Sequence, residues 1–320
     1  MNLPILTRRA ALAALAGATA SCNRSQKKTI AVIPKGNAHL FWQSVHAGAV
    51  AAAREDNLDV IWNGPAAETD FTGQIKIVES MINRRVDAIA LAPIDRKAMV
   101  SVVERAAKEN VLLIIFDSGI DTDQYVSQIA TDNYRAGELG AERMAKILNG
   151  AGQVAILAVT PGAASTLARE QGFEDWIKKN APKIEIVDKQ FGMSEVATSL
   201  SKAENMLTAH PQMAGMFASN ESSAVGASQA LRGRQGKVKL VGFDSSPSLI
   251  EGLKTGLVDS LVIQDPFKMG YESVKTAAKK IAGQTVEKNR SLPAVLVTSE
   301  NLDTPEIQAK ISPDLKKYLD

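Results

Sequence analysis

From Thr29 onward the chain alternates between short, unbroken apolar runs and stretches with helical spacing, and this pattern constrains its fold more than any other feature. The runs fall at 29–34, 59–62, 88–92, 111–116, 154–159, 184–190, 213–219, 238–243 and 260–264. Between them, 41–55, 70–83, 97–109, 133–149, 164–180, 194–209 and 222–232 repeat apolar residues at helical intervals. A strand wet on one side would alternate polar with apolar. These runs do not, so both their faces are covered, as in a parallel sheet with helices above and below. About ten strands exceed one comfortable sheet. The pattern therefore predicts an α/β fold of two Rossmann-like lobes, each a parallel sheet with helices on both faces.

In such sheets a ligand sits beyond the C-terminal ends of the strands. Position alone then selects Lys35 to Trp42, Pro93 to Asp95, Asp117-Ser118, Thr160 to Arg169, Asn220-Glu221, Asp244 and Gln264-Asp265. This set is rich in planar polar side chains, with Phe41 and Trp42 beside them. Forked groups such as Asp, Asn, Arg and Gln can bind neighbouring hydroxyls in pairs, and an aromatic ring packs on the C–H face of a sugar. Each residue taken singly has a plainer explanation. Asp117 and Asp244 can cap the helices that follow them, Arg169 can be a solvated helix residue, and Phe41 and Trp42 can belong to the core.

Charge and motifs exclude other classes. The formal net charge is +2, and removing residues 1–21 takes away Arg8 and Arg9 but no acid, leaving a neutral chain without the basic footprint of a nucleic-acid binder. The three histidines, His39, His46 and His210, have no zinc-site spacing, and the sequence contains neither a nucleophile elbow nor a phosphate-binding loop. No metal or organic cofactor is expected. Of the histidines only His39 falls in the expected cleft. A rival enzyme reading would use Asp117 and Asp244 as paired acid and base, and it requires turnover of a sugar.

The N-terminus reads as an address. Thr7-Arg8-Arg9 precedes an apolar run from Ala10 to Ala20 that is too short to span a bilayer. The paired arginines resemble a twin-arginine export signal. Thr19-Ala20-Ser21-Cys22 resembles a lipoprotein cleavage box, with Thr19 where such boxes usually carry leucine. Cys22, the only cysteine, is the expected lipidation site, and residues 22–28 the tether. The expected location is outside the cytoplasm, with membrane contact only through that anchor.

These residues together resemble a known family, the periplasmic sugar-binding proteins of the ribose-binding type. The resemblance is carried by Ile30-Ala31-Val32-Ile33, Phe41-Trp42, Gly48-Ala49, Asp87-Ala88-Ile89, Phe116-Asp117, Ala130-Thr131-Asp132-Asn133 with Gly137, Ala168 to Phe173, Leu207 to Pro211, Phe217 to Glu221, Val241 to Asp244, and Gln264. It implies the periplasmic-binding-protein-like I fold, with lobes joined by a three-segment hinge. The divisions it implies are 1–21 signal peptide, 29–131 plus 265–292 for the N-terminal lobe, and 132–264 plus 293–320 for the C-terminal lobe. It also implies that Phe41 and Trp42 stack on a sugar while Asp117, Arg169, Asn220, Asp244 and Gln264 bind its hydroxyls. Lys35, His39, Asp95, Ser118 and Phe191 complete the expected ligand set.

Two departures point away from ribose itself: Ser118 stands where ribose binders carry arginine, and His39 where they carry asparagine. Ile33-Pro34-Lys35, Asn63-Gly64-Pro65 and Gln190-Phe191-Gly192 are similar to rhamnose- and autoinducer-2-binding relatives. Arg169, Asn220 and Glu221 depart from the autoinducer pattern. The expected partners are a small sugar (hexose, deoxyhexose or pentose) and an ABC-type permease, with the chain a monomer. The alternative is a receptor lipoprotein feeding a signalling system. A sugar-responsive transcription regulator would need a DNA-binding unit ahead of Thr29, where the sequence reads instead as an export signal.

Overall fold

The computed structural model describes residues 27–234 and 236–319. The export signal, Cys22 and the tether up to residue 26 lie outside the described residues.

The first sheet is built from β1 (Thr29–Ile33), β2 (Asp59–Trp62), β3 (Ala88–Leu91), β4 (Leu112–Phe116), β5 (Ser127–Thr131) and β11 (Asn289–Leu292). Its order is β11-β5-β4-β3-β1-β2, and every pairing is parallel. The second uses β6 (Ala151–Ala158), β7 (Lys183–Phe191), β8 (Met213–Ala218), β9 (Lys239–Phe243), β10 (Ser260–Ile263) and β12 (Val295–Val297). Its order is β12-β10-β9-β8-β6-β7, with only the edge strand β12 antiparallel. Two α/β lobes result, in agreement with the alternating pattern.

Around the first sheet lie α1 (Leu40–Glu55), α2 (Phe71–Asn83), α3 (Val100–Lys108) and α9 (Pro266–Ile281). Around the second lie α4 (Asn133–Ile147), α5 (Ala164–Asn180), α6 (Val196–Ala209), α7 (Glu221–Ala230) and α8 (Pro247–Thr255). Each sheet carries a hydrophobic cluster on both faces, with β3 buried along its whole length. That double burial is why the strands read as unbroken apolar runs.

Glycines let paired helices cross closely, and the device recurs in both lobes. A Cβ at Gly48 of α1 would run into the carbonyl of Phe267, and one at Gly270 of α9 into that of Val45. In the second lobe Gly137 of α4 faces the carbonyl of Arg169, and Gly172 of α5 that of Tyr134. The close α4–α5 crossing helps hold Arg169 at the mouth of the second lobe.

The chain passes between the sheets after β5, after β10 and after β11. Its last segment returns once more. Helix α10 (Pro305–Ile311) buries Ile307 in the core of the second lobe. The final α11 (Lys316–Leu319) lies on α1 of the first lobe, where Arg54 donates to the carbonyls of Lys317 and Tyr318. Among the described residues no helix is long and apolar enough to cross a membrane.

Candidate functional site

The C-terminal strand ends of the two sheets face each other across a closed cleft. One cavity there, of about 30 Å³, is lined by Lys35, His39, Phe41, Trp42, Asp117, Arg169, Asn220, Asp244 and Gln264, all named from sequence. Glu68, Ser165, Thr166 and Glu221 complete the lining. Hydrogen bonds link the lobes across this cavity, so a guest enters when the lobes part.

Asp117 and Asp244 are the first residues past β4 and β9, and both take the left-handed conformation, with φ of 58° and 63°. Aspartate tolerates that region better than most side chains, and the turn places each carboxylate in the cleft. Asp117 Oδ2 lies 2.7 Å from Lys35 Nζ, with both groups buried. The approach is an ion pair rather than a well-angled hydrogen bond, so that oxygen keeps acceptor capacity. Asp244 accepts from Gln264 Nε2 at 2.7 Å and from the backbone N–H of Glu221 at 3.1 Å. Burial pushes the Asp244 carboxyl up, against the opposing pull of Arg169.

Arg169 is 2% exposed. Its Nε donates to Asn133 Oδ1 at 2.8 Å, one terminal nitrogen donates to the carbonyl of Ser219 at 2.9 Å, and the guanidinium lies 3.9 Å from the centre of the Phe243 ring. This is a fixed cation with no freedom to reorient. Asn220 caps α7 through the N–H of Ser223, and its amide nitrogen reaches Ser194.

On the first lobe, Glu68 is the largely covered organiser. It accepts from Trp42 Nε1 at 2.7 Å and pairs with His39 Nδ1 at 2.8 Å. Burial alone would lower the His39 imidazole. The bond to Glu68 and the neighbouring carboxylates outweigh it and hold His39 at about 9. His39 is therefore cationic at neutral pH, and its free ring N–H is a donor. Phe41 and Trp42 meet edge to face at 4.8 Å, and Trp42 also belongs to the core under α1.

Three expected residues stand outside this cavity. Asp95 accepts from the N–H groups of Lys97 and Ala98, closing a turn before α3. Ser118 is fully buried and accepts from the N–H of Ser165 in the other lobe, a contact between lobes rather than part of the lining. Phe191, at the end of edge strand β7, packs against the core of the second lobe. Glu68, which the sequence reading does not select, lies in the loop after β2, and the strand-end rule carried to that loop points to it.

Both lobes contribute to the closed form. Lys35 Nζ donates to Ser165 Oγ at 3.0 Å, Thr131 Oγ1 to Gln264 Oε1 at 2.7 Å, and the N–H of Phe41 to Glu221 Oε2 at 3.3 Å. Among the described residues no cluster of three or more His, Cys, Asp or Glu side chains is placed to hold a metal ion.

Comparison with known proteins agrees with this fold. A family model described as a periplasmic binding protein domain matches residues 30–285. The D-ribose/D-allose-binding protein of Pseudomonas aeruginosa is 33% identical over 288 residues, covering 86% of this chain and 90% of its own. A carbohydrate transporter solute-binding protein from Agrobacterium radiobacter, solved with D-arabinose, is 37% identical with a TM-score of 0.87, covering 89% of this chain and 99% of its own. An ABC transporter solute-binding protein from Agrobacterium vitis, solved with D-fucose, is 36% identical with a TM-score of 0.86, covering 88% and 99%. The chain belongs to the periplasmic sugar-binding proteins of the ribose-binding type, the non-enzymatic solute-binding components of ABC importers.

Proposed function

We propose that this protein captures a single monosaccharide between its lobes and presents it to an ABC-type permease. The observation that carries the reading is the cavity itself, where rings and forked polar groups from both lobes converge. Asp117 and Asp244 offer acceptors, Arg169 and cationic His39 offer donors, and Phe41 offers a ring to a C–H face. A ligand that bridges both sets binds best when the lobes meet, so binding draws the hinge shut. Lys35, Trp42, Asn220 and Gln264 complete the proposed contact set. Asp95, Ser118 and Phe191 are assigned to the turn, the lobe contact and the core that hold them.

The sugar we favour is a pentose or a 6-deoxyhexose. D-arabinose and D-fucose, held by the two solved relatives, both lack a hydroxyl on C6. The lobes on this reading are 29–131 plus 265–292 and 132–264 plus 293–320, with 312–319 crossing back to the first.

A thermal-shift screen of pentoses, hexoses and deoxyhexoses tests the proposal. A hundredfold excess over Kd should stabilise the chain by about 2.7 kcal/mol, enough to raise the melting temperature visibly, with D-arabinose and D-fucose first among the candidates. If no monosaccharide shifts the melt, the reading fails. We propose further that the protein is exported as a monomer and anchored by a lipid on Cys22. Replacing Cys22 with serine should then release it from the membrane fraction, and an unchanged distribution would remove the anchor.

A further inference from the structure

Helix α1 begins without a cap of its own. Its N-cap residue is His39, whose side chain makes no capping bond because it is turned to Glu68. No acid lies in its first turn. The first N–H groups of a helix need acceptors from elsewhere, and here one arrives from the opposite lobe. Glu221, the first residue of α7, reaches across the cleft so that its Oε2 accepts from the N–H of Phe41 at 3.3 Å, and the N–H of Leu40 also favours its ionised form. The side chain is buried where it crosses, and its own backbone N–H is tied to Asp244.

We infer that Glu221 is a closure latch: it caps α1 in trans, and its contribution is to hold the lobes together rather than to touch the sugar. The functional half of this inference rests on the sugar-capture reading; the latch itself does not. Reach is what the contact demands. Aspartate at 221 keeps the charge but falls one methylene short of Phe41. Glutamine keeps both the reach and an acceptor oxygen. Glu221 is therefore a positioning residue, and its charged neighbours are His39 of the first lobe and Asp244 of the second.

The test compares Glu221→Ala, Glu221→Asp and Glu221→Gln with the wild-type chain at pH 6. Small-angle X-ray scattering without sugar reads lobe opening, and stopped-flow release of D-arabinose or D-fucose reads the latch in function. The expected result is a larger radius of gyration for Ala and Asp, release faster by roughly five- to tenfold, the size of a lost cap, and Gln matching wild type in both. The sugar-free melting temperature reports that each variant folds. The inference is overturned if Asp behaves as wild type, if all four chains scatter alike, or if Ala changes the ranking among sugars, which would make Glu221 a ligand contact. Scattering needs no ligand. A wild-type chain that binds no sugar would therefore sink the sugar reading while leaving the latch to be judged by its own measurement.

Discussion

Asp117 and Asp244 occupy the same place in the two lobes, one step past a central strand and in the same left-handed turn, yet the lobes surround them differently. In the first lobe Asp117 faces the Lys35 ammonium, and Glu68 faces the His39 imidazole. Its charges are thus matched within the lobe and keep their partners when the hinge opens. In the second lobe Asp244 is held by a neutral amide and a backbone N–H, while Arg169 leans on an asparagine, a carbonyl and a ring. Its charges are fixed mainly by neutral groups and are left with unspent electrostatic demand. One fold has been used twice, once to neutralise charge and once to hold it ready.

The sharpest way to break this contrast is Arg169→Met. It would leave Asn133 Oδ1 and the Ser219 carbonyl without their donor and Asp244 without the cation that favours its charged form. The expected loss is about 3–5 kcal/mol of stability, measured by denaturant unfolding, together with loss of the sugar-induced thermal shift. The sequence alone allows Arg169 to be a solvated helix residue or a ligand contact. A variant that melts as wild type would return Arg169 to that role.

A paired comparison comes next. Asp117→Asn leaves the buried Lys35 ammonium without its counter-charge and should cost about 2–3 kcal/mol. Asp244→Asn should cost less, about 1 kcal/mol, because burial already disfavours its charge and its amide oxygen still accepts from Gln264, so that only the bond from the Glu221 N–H is lost. Both should weaken sugar binding in calorimetry. Equal stability losses would mean the lobes do not differ as described.

The smallest effect expected is on pH dependence. Burial in the closed cleft, with Asp244 beside it and against the pull of His39, pushes the Glu221 carboxyl up to about 7. In the open form it faces water and falls toward the ordinary carboxylate range. The closed form therefore binds the extra proton, and closure gains as pH falls through 7 toward that range, by at most about tenfold in affinity per pH unit. It loses the gain as pH rises past 7. His39 keeps its Glu68 partner within one lobe and stays cationic through this window. Asp244 shifts in the same sense, so the slope should shrink in Glu221→Gln rather than vanish. Affinity that rises with pH would reverse the assignment.

Much of this architecture was written locally. Runs such as Ala88–Leu91 and Leu112–Phe116 are apolar throughout because both sides of the strand are covered, and that requirement is visible residue by residue. The rule that ligands sit past strand ends selects Lys35, Asp117, Arg169, Asn220, Asp244 and Gln264 without coordinates, and the structure brings these six to one cavity. Strand β5 was harder to see, since Ser127–Thr131 mixes polar with apolar residues and alternates in burial near the sheet edge. The short β11 and β12 have too few residues for any period to show.

What the sequence by itself determined is therefore the set of elements, the two-lobed class and the side of each sheet on which polar groups gather, because burial and helical period act over neighbouring residues. What only the tertiary structure decided is who partners whom. Glu68 orients His39 across 29 positions of chain, Arg169 stacks on Phe243, and Glu221 reaches Phe41 from 180 residues away. Asp95 carries the strand-end signature and closes a turn, and Phe191, named by resemblance, packs on the core of the second lobe. Contacts of that kind depend on how two lobes meet in space, a relation between distant surfaces that no local pattern encodes.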